Sequence, residues 1–244
     1  MTNSVLILGA TSDMALALAY TYAQLGHNLI LAARKEDRLE PVASDIKIKH
    51  NVEVKTVFFD AVDPKDNQSF IKKLGVKPLI TIAVFGYLGN HDQAKDDWVE
   101  CSKIIDINFV GAVAILNTIA NLYEQEKKGT IVGISSVAGD RGRQSNYFYG
   151  SAKAGFTAYL SGLRNRLYKS GVHVLTVKPG FVNTKMTADL DLPPALTVQP
   201  DDVAKAIVKG INKKKNTIYI SWKWRYIMLI IKSIPERIFK KLKL

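Results

Sequence analysis

The chain has 244 residues, 47% of them hydrophobic and 23% charged, and a formal net charge of +12. Its length suits one α/β domain and is short for two, its composition is that of a soluble globular protein, and no run of about 18 uninterrupted apolar residues suggests a membrane span. Cys101 is the single cysteine, which excludes a disulfide framework and a cysteine metal site and makes a reducing, cytoplasmic location the expectation, while the positive excess calls for an anionic partner: a phosphorylated cofactor or substrate, a membrane surface or nucleic acid.

Short runs rich in Val and Ile at residues 5–9, 28–33, 52–59, 79–85, 129–135, 172–178 and 217–221 predict strands. Segments of helical length and pattern lie between them, at 14–25, 98–123, 147–170 and 201–211. This alternation predicts a single Rossmann-type α/β fold, a doubly wound parallel sheet with helices on both faces. The first run is expected to be a buried strand, not a removable leader. No repeat, linker or low-complexity stretch divides the chain. Residues 1–221 are therefore expected to form one dinucleotide-binding and catalytic domain, and 222–244 a basic amphipathic extension outside the alternation. Ligands of such sheets bind beyond the carboxyl ends of the strands, so the residues just after each strand are the candidates.

After the first strand, Gly9 can take a tight turn, and the helix that follows offers free N–H groups to a pyrophosphate. Thr11 and Ser12 add hydroxyls, and Asp13 and Met14 open the helix. An ordinary βα turn would look the same were it not for its place after the first strand. The second strand ends at Arg34-Lys35, where an acidic residue would bind the ribose of NAD. Arg34 can instead pair with a 2′-phosphate, which favours NADP(H); the alternative is a solvated charge pair. Asp60, followed by Ala61 after the third strand, can accept from an adenine amino group or cap a turn.

Tyr149 and Lys153 share one helix face, one turn apart. A phenol titrates near ~10 and is a poor acid at neutral pH, but an adjacent ammonium favours the phenolate and is expected to lower that value. Tyr149 then serves as the group that gives a proton to a carbonyl oxygen or takes one from an alcohol. Tyr147 has no such partner, because residue 151 is serine. Alone the pair is a common helix-surface pattern. Ser136, thirteen residues earlier and just after a strand, can hold the substrate oxygen. Asn108 interrupts an apolar helix, either to hold a water beside Lys153 or as a satisfied residue at a helix kink.

Gly9, Asn108, Ser136, Tyr149, Lys153 and the Lys178-Pro179-Gly180 turn together resemble the short-chain dehydrogenase/reductase family, in order and spacing, from about Ser4 to Tyr219. The resemblance implies hydride transfer from a nicotinamide cofactor without a metal, usually in a homodimer or homotetramer. It makes Tyr149 the acid/base, Lys153 its electrostatic and ribose-binding partner, Ser136 the substrate-oxygen ligand and Asn108 the proton-relay anchor. Pro179, Gly180, Val182 and Thr184 would border the nicotinamide, with Phe85 and Gly86 also beside the cofactor. The family's later two turn glycines are here Asp13 and Ala15, so Asp13 is expected to point away from the pyrophosphate. The family's Asn-Asn-Ala-Gly is replaced by Ala83-Val84-Phe85-Gly86.

Residues 84–89, 146–151 and 225–242 resemble more narrowly a subgroup that reduces keto-pentoses carried on a polyprenyl phosphate. That implies a keto-sugar substrate, a role in cell-wall or polysaccharide biosynthesis, and a flavin-dependent oxidase partner that makes the ketone. Between 221 and 244, Lys223, Arg225, Lys232, Arg237, Lys240, Lys241 and Lys243 face only Glu236. Ile227, Ile230, Ile231, Ile234, Ile238 and Leu242 recur there at helical spacing, after Trp222 and Trp224. This pattern suits peripheral contact at the inner face of a membrane, or equally a helix pair packed on the protein's own core or a neighbouring subunit. No nucleic-acid partner is expected, because the charge travels with an apolar stripe and no binding motif accompanies it. His27, His50, His91 and His173 lack metal-ligand spacing; His91 either approaches substrate or lies in a surface loop. Residues 185–199 are expected to cover the substrate. Two other readings stay open: a soluble reductase of an unrelated small ketone or nucleotide sugar, and a non-catalytic scaffold of a membrane biosynthetic complex, which the intact tetrad disfavours.

Overall fold

Strand β1 (Ser4–Leu8) buries Val5, Leu6, Ile7 and Leu8 completely, as a strand covered on both faces must. The computed structural model describes residues 4–63 and 67–243. Its main sheet adds β2 (Asn28–Ala33), β3 (Val54–Phe58), β4 (Ile80–Ala83), β5 (Thr130–Ile134), β6 (His173–Pro179) and β9 (Thr217–Ile220). All pairings are parallel, in the order β3-β2-β1-β4-β5-β6-β9, with Leu8 opposite both Ala32 and Ala83. The order reverses between β1 and β4, which leaves a crevice beyond their carboxyl ends. A second ladder, β7 (Phe181–Val182) with β8 (Thr197–Val198), closes the loop that runs between them.

Helices α1 (Asp13–Gln24), α2 (Glu40–His50) and α7 (Pro200–Asn212) cover one face with Leu18, Tyr22, Ile46, Val203 and Ile207. On the other face lie α3 (Asn67–Leu74), α5 (Gly111–Glu126) and α6 (Tyr147–Leu167), which bury Phe70, Ile115, Leu116, Phe156 and Leu160. Helix α4 (Trp98–Ile105) runs into α5 through a π-helical turn, Asp106–Val110. The expected doubly wound architecture is thus present. Helices α2 and α3 lie outside the helices that the pattern predicts. Each is short and largely polar, and α2 buries only Ala43 and Ile46. The fourth strand ends at Ala83, earlier than expected: Val84 still donates to the Leu8 carbonyl at 2.9 Å, and then the chain leaves the sheet.

The segment after residue 221 folds as α8 (Trp222–Ser233) and α9 (Glu236–Phe239). One face of α8 is built into the domain, so the segment is not a separate appendage. Trp224 and Met228 are 4% and 0% exposed, packed with Val137, Phe181, Leu196 and Tyr219. Gly180 makes room for this: a Cβ there would lie 2.0 Å from the Trp224 indole. Arg141 secures the helix end, donating from Nη1 to the Ile231 and Ile234 carbonyls at 2.6 Å and from Nη2 to Glu236 at 3.0 Å. Its guanidinium also stacks on Phe239, 3.6 Å from the ring centroid. Beneath, Asp140 pairs with Lys178 and accepts from Tyr219 Oη at 2.6 Å, which ties the loop after β5 to β6 and β9. The opposite face of the tail stays open, with Leu229 63% and Ile230 66% exposed. One side of the stripe is therefore packed on the protein's own core, as the second sequence reading expected, and the other side is exposed.

Truncating a buried aromatic side chain costs about 3–5 kcal/mol through lost burial and the cavity left behind. Trp224→Ala should lose that much in urea unfolding; a loss below about 1 kcal/mol would mean that the tail is not integral to the fold.

Candidate active site

A groove of about 350 Å³ crosses the carboxyl ends of β1 to β4. Gly9, Thr11, Ser12, Asp13 and Met14 line it from the first turn, Arg34 from the end of β2, Asp60 and Ala61 from the end of β3, and Phe85 and Gly86 from the end of β4. Gly9 is required in two ways: its φ is +85°, and a Cβ would sit 2.7 Å from Phe85. The Phe85 backbone and Cβ thus pack against the turn, and its phenyl ring, which replaces the usual small residue, packs against Phe59 with 5.5 Å between centroids. Ser12 caps α1 by accepting from Ala15 N–H at 3.3 Å, so the first free N–H groups of α1 open toward the groove. The Asp13 carboxylate accepts from the backbone N–H of Lys185 at 2.7 Å, and both residues line the groove. Arg34 is exposed at the rim beside Asp60 and Ala61. A long groove that joins a helix N-terminus to a rim guanidinium fits a dinucleotide with an extra phosphate.

The groove meets a second cavity of about 160 Å³, and Met14, Phe85, Gly86, Thr184 and Met186 line both. Ser136, Tyr149, Lys153, Pro179, Gly180 and Val182 surround the second cavity. Helix α6 sets the register of Tyr149 and Lys153. The Ser135 hydroxyl hydrogen-bonds the Lys153 carbonyl at 2.9 Å and Thr157 Oγ1 at 2.7 Å, which locks α6 onto the end of β5. Ser136 accepts from Ala138 N–H at 3.1 Å and lines the cavity together with Tyr149. Lys153 is 3% exposed, and its ammonium donates to the Ile134 carbonyl at 3.0 Å.

Burial sets the protonation states. Enclosure pushes the Tyr149 phenol up to about 12, against a smaller lowering from its Ser136 hydrogen bond. Burial also pushes the Lys153 ammonium down to about 8. The lowering of Tyr149 expected from its neighbour is thus reversed here, because desolvation outweighs an ammonium that is aimed at the Ile134 carbonyl. Tyr149 therefore keeps its proton at neutral pH, as a free phenol does, and is a weaker acid than a free phenol in the unliganded site.

Asn108 lies in the π-helical turn and is 1% exposed. Its amide nitrogen donates to the Tyr87 and Ile104 carbonyls at 2.6 and 2.8 Å, and its oxygen accepts from Tyr87 N–H at 3.2 Å. The amide therefore fixes the chain after β4, and its donors are not available to a water. A Cβ on Gly86 would lie 2.9 Å from Asn108 Oδ1 and 3.5 Å from Lys153 Nζ, so the three meet behind the cavity. His91 packs on Tyr147 and Phe148, with centroids 4.5 and 5.2 Å apart, and does not line the cavity. Met186, Thr187 and Leu190 from the loop between β7 and β8 do line it. Sequence reasoning did not single out Arg143, Asn146 and Phe181 in this wall, nor Trp224 as part of it. For Arg143 and Asn146 the available signal was their place between Ser136 and Tyr149. Among the described residues, no group of three or more His, Cys, Asp or Glu side chains is arranged to hold a metal ion.

The model of the short chain dehydrogenase family matches residues 3–194. An uncharacterized oxidoreductase of Streptomyces coelicolor is 34% identical over 245 residues, covering 98% of this chain and 96% of the relative. Sulfoacetaldehyde reductase 2 of Chromohalobacter salexigens is 34% identical over 195 residues, 77% of this chain and 75% of its own length. A short-chain dehydrogenase from Sphingobium yanoikuyae, solved in complex with NADPH, has the same fold: the TM-score is 0.84 at 23% identity, over 96% of this chain and 97% of that chain.

The Lys153 shift has a stability consequence. Its folded value, about 8, lies below the unfolded value near 10.5, so the unfolded chain binds more protons between the two and the folded state gains stability as pH rises through that window. Lys153→Met removes this dependence. In paired urea titrations, wild type should gain about 3 kcal/mol on the variant from pH 7 to pH 10.5; a constant gap would show that the ammonium is not desolvated.

Proposed function

This chain belongs to the short-chain dehydrogenase family, and on that premise we propose that it is an NADP(H)-dependent reductase of a keto-sugar, with Tyr149 as the proton donor. One observation carries the reading: a half-buried Tyr149 lines one cavity with Ser136 and Lys153, and that cavity adjoins a groove across the ends of β1 to β4. Met14, Phe85, Gly86, Thr184 and Met186, which line both spaces, would hold a dihydronicotinamide, which would supply the hydride to the carbonyl carbon. Ser136 donates a hydrogen bond to the carbonyl oxygen and holds it against Tyr149. The Tyr149 phenol gives that oxygen its proton, which completes the alcohol. Lys153, one turn along α6, stabilises the phenolate that is left. Asn108 and Ser135 hold the surrounding backbone and α6 in place.

Arg34 supports NADP(H): a guanidinium stands at the end of β2, where a carboxylate would repel a 2′-phosphate. The finer substrate assignment rests on the resemblance of residues 84–89, 146–151 and 225–242 to decaprenylphosphoryl-2-keto-pentose reductase, which works after a flavin-dependent oxidase. The cavity agrees with such a substrate. Ser136, Arg143 and Asn146 offer polar groups to a sugar, and Leu88, Phe181, Leu190 and Trp224 offer apolar walls to what it is attached to. Outside, the free face of the tail joins Leu229, Ile230 and Ile238 to Lys232, Arg237, Lys240 and Lys241, a pattern suited to an anionic membrane at the cytoplasmic side. A second reading is favoured by the sulfoacetaldehyde reductase relative: a small anionic aldehyde in solution.

NADPH oxidation with a polyprenylphosphoryl-2-keto-pentose and with sulfoacetaldehyde separates the two. Turnover of the first with little of the second is expected; the opposite result would reject the keto-sugar. Tyr149→Phe should lower turnover by about 10²–10⁴-fold while NADPH binding persists. Arg34→Asp should reverse the preference toward NADH; unchanged NADPH affinity would remove Arg34 from the phosphate site.

A further inference from the structure

The loop between Ser136 and Tyr149 carries two arginines with opposite fates. Arg141 is fully engaged in holding the tail, through three backbone carbonyls, Glu236 and the Phe239 ring. Arg143, two residues on, lines the substrate cavity and forms no ion pair among the described residues. Its Nε is buried without a hydrogen-bond partner, and burial holds its guanidinium below the usual arginine range. Asn146 lines the same cavity, and its Oδ1 is likewise buried without a partner. Lys153 is the other charged residue in this wall, and no acidic residue lines it. The wall of the cavity thus carries positive charge with no facing carboxylate, together with an unsatisfied donor and an unsatisfied acceptor on residues that line it. Unpaired buried polar groups are unfavourable, and they persist where a ligand completes them.

We propose that Arg143 and Asn146 form the subsite that selects the substrate: Arg143 pairs with a tetrahedral oxyanion carried by the ketone, a phosphate ester, and Asn146 accepts a hydrogen bond from a neighbouring sugar hydroxyl. A guanidinium suits this task because its planar fork pairs with two oxyanion oxygens at once. Asn146 adds what a bare anion site would lack, a requirement for a donor on the substrate. The inference rests on the reading of this cavity as the substrate site, and it adds that neutral sugars bind poorly there.

The test is equilibrium binding to the full chain saturated with NADP+, using pentose 1-phosphate, a farnesyl-phosphoryl pentose and the neutral methyl pentoside. Wild type should bind both phosphate esters at least tenfold more tightly than the pentoside. Arg143→Gln should abolish that preference and Arg143→Lys should restore part of it, with NADP+ affinity of each variant reporting an intact fold. Tighter binding of the farnesyl ester would assign the phosphate to a lipid-linked sugar, and equal binding to a soluble one; either supports the subsite. Equal affinity of wild type for the phosphate esters and the pentoside, or a preference that survives in Arg143→Gln, overturns it. Because binding is read without turnover, failure to reduce any keto-sugar would sink the catalytic reading while leaving the subsite standing. Turnover without the preference would do the reverse.

Discussion

The docking of α6 on the end of β5 is the constraint on which the site depends. Ser135 bridges the Lys153 carbonyl and Thr157, and a Cβ on Gly139 would come within 2.7 Å of the Ala154 nitrogen. The helix therefore cannot move outward without breaking buried hydrogen bonds, or inward at all. Lys153 is carried into the interior by this packing and is left with the Ile134 carbonyl as its partner. A buried ammonium destabilises the fold, and the same enclosure keeps the proton on Tyr149. The cost in stability and the upward shift of the Tyr149 phenol come from one piece of geometry.

That geometry extends to the far end of the chain. The loop that begins at Ser136 runs to Asp140, paired with Lys178 and Tyr219, and then to Arg141, which holds α8. Trp224 reaches from α8 to Gly180 and becomes a wall of the substrate cavity. The catalytic loop, the ends of β6 and β9, and the tail thus form one packed unit. This arrangement suits a substrate whose sugar must enter the cavity while its lipid stays at a membrane, the reading proposed above.

Much of this was legible in the sequence. The strands are continuous apolar runs because both faces of the sheet are covered, and Tyr149, Lys153 and Ser136 stand at strand ends and on one helix face, where spacing alone brings them together. What was not legible depends on contacts distant in sequence or on burial. Asp13 looked like an obstacle to phosphate binding, and its partner is the backbone of Lys185, 172 residues away. The tail showed one apolar stripe and in fact has two faces, because only Gly180 and Arg141 decide which side docks. The upward shift of Tyr149 in the unliganded site was not legible, because adjacency on a helix says nothing about where an ammonium points. The π-helical turn that aims Asn108 at the Tyr87 backbone shows in the sequence only as a polar residue interrupting an apolar helix.

The central claim is that the unliganded site holds Tyr149 neutral, ready to give its proton. Ultraviolet difference titration of wild type against Tyr149→Phe reads the phenolate of this one residue directly. The account expects no Tyr149 phenolate through pH 10, in keeping with a value pushed up to about 12. A phenolate that forms between pH 6 and 8 in the free enzyme, in the range of a strongly lowered phenol, would contradict it.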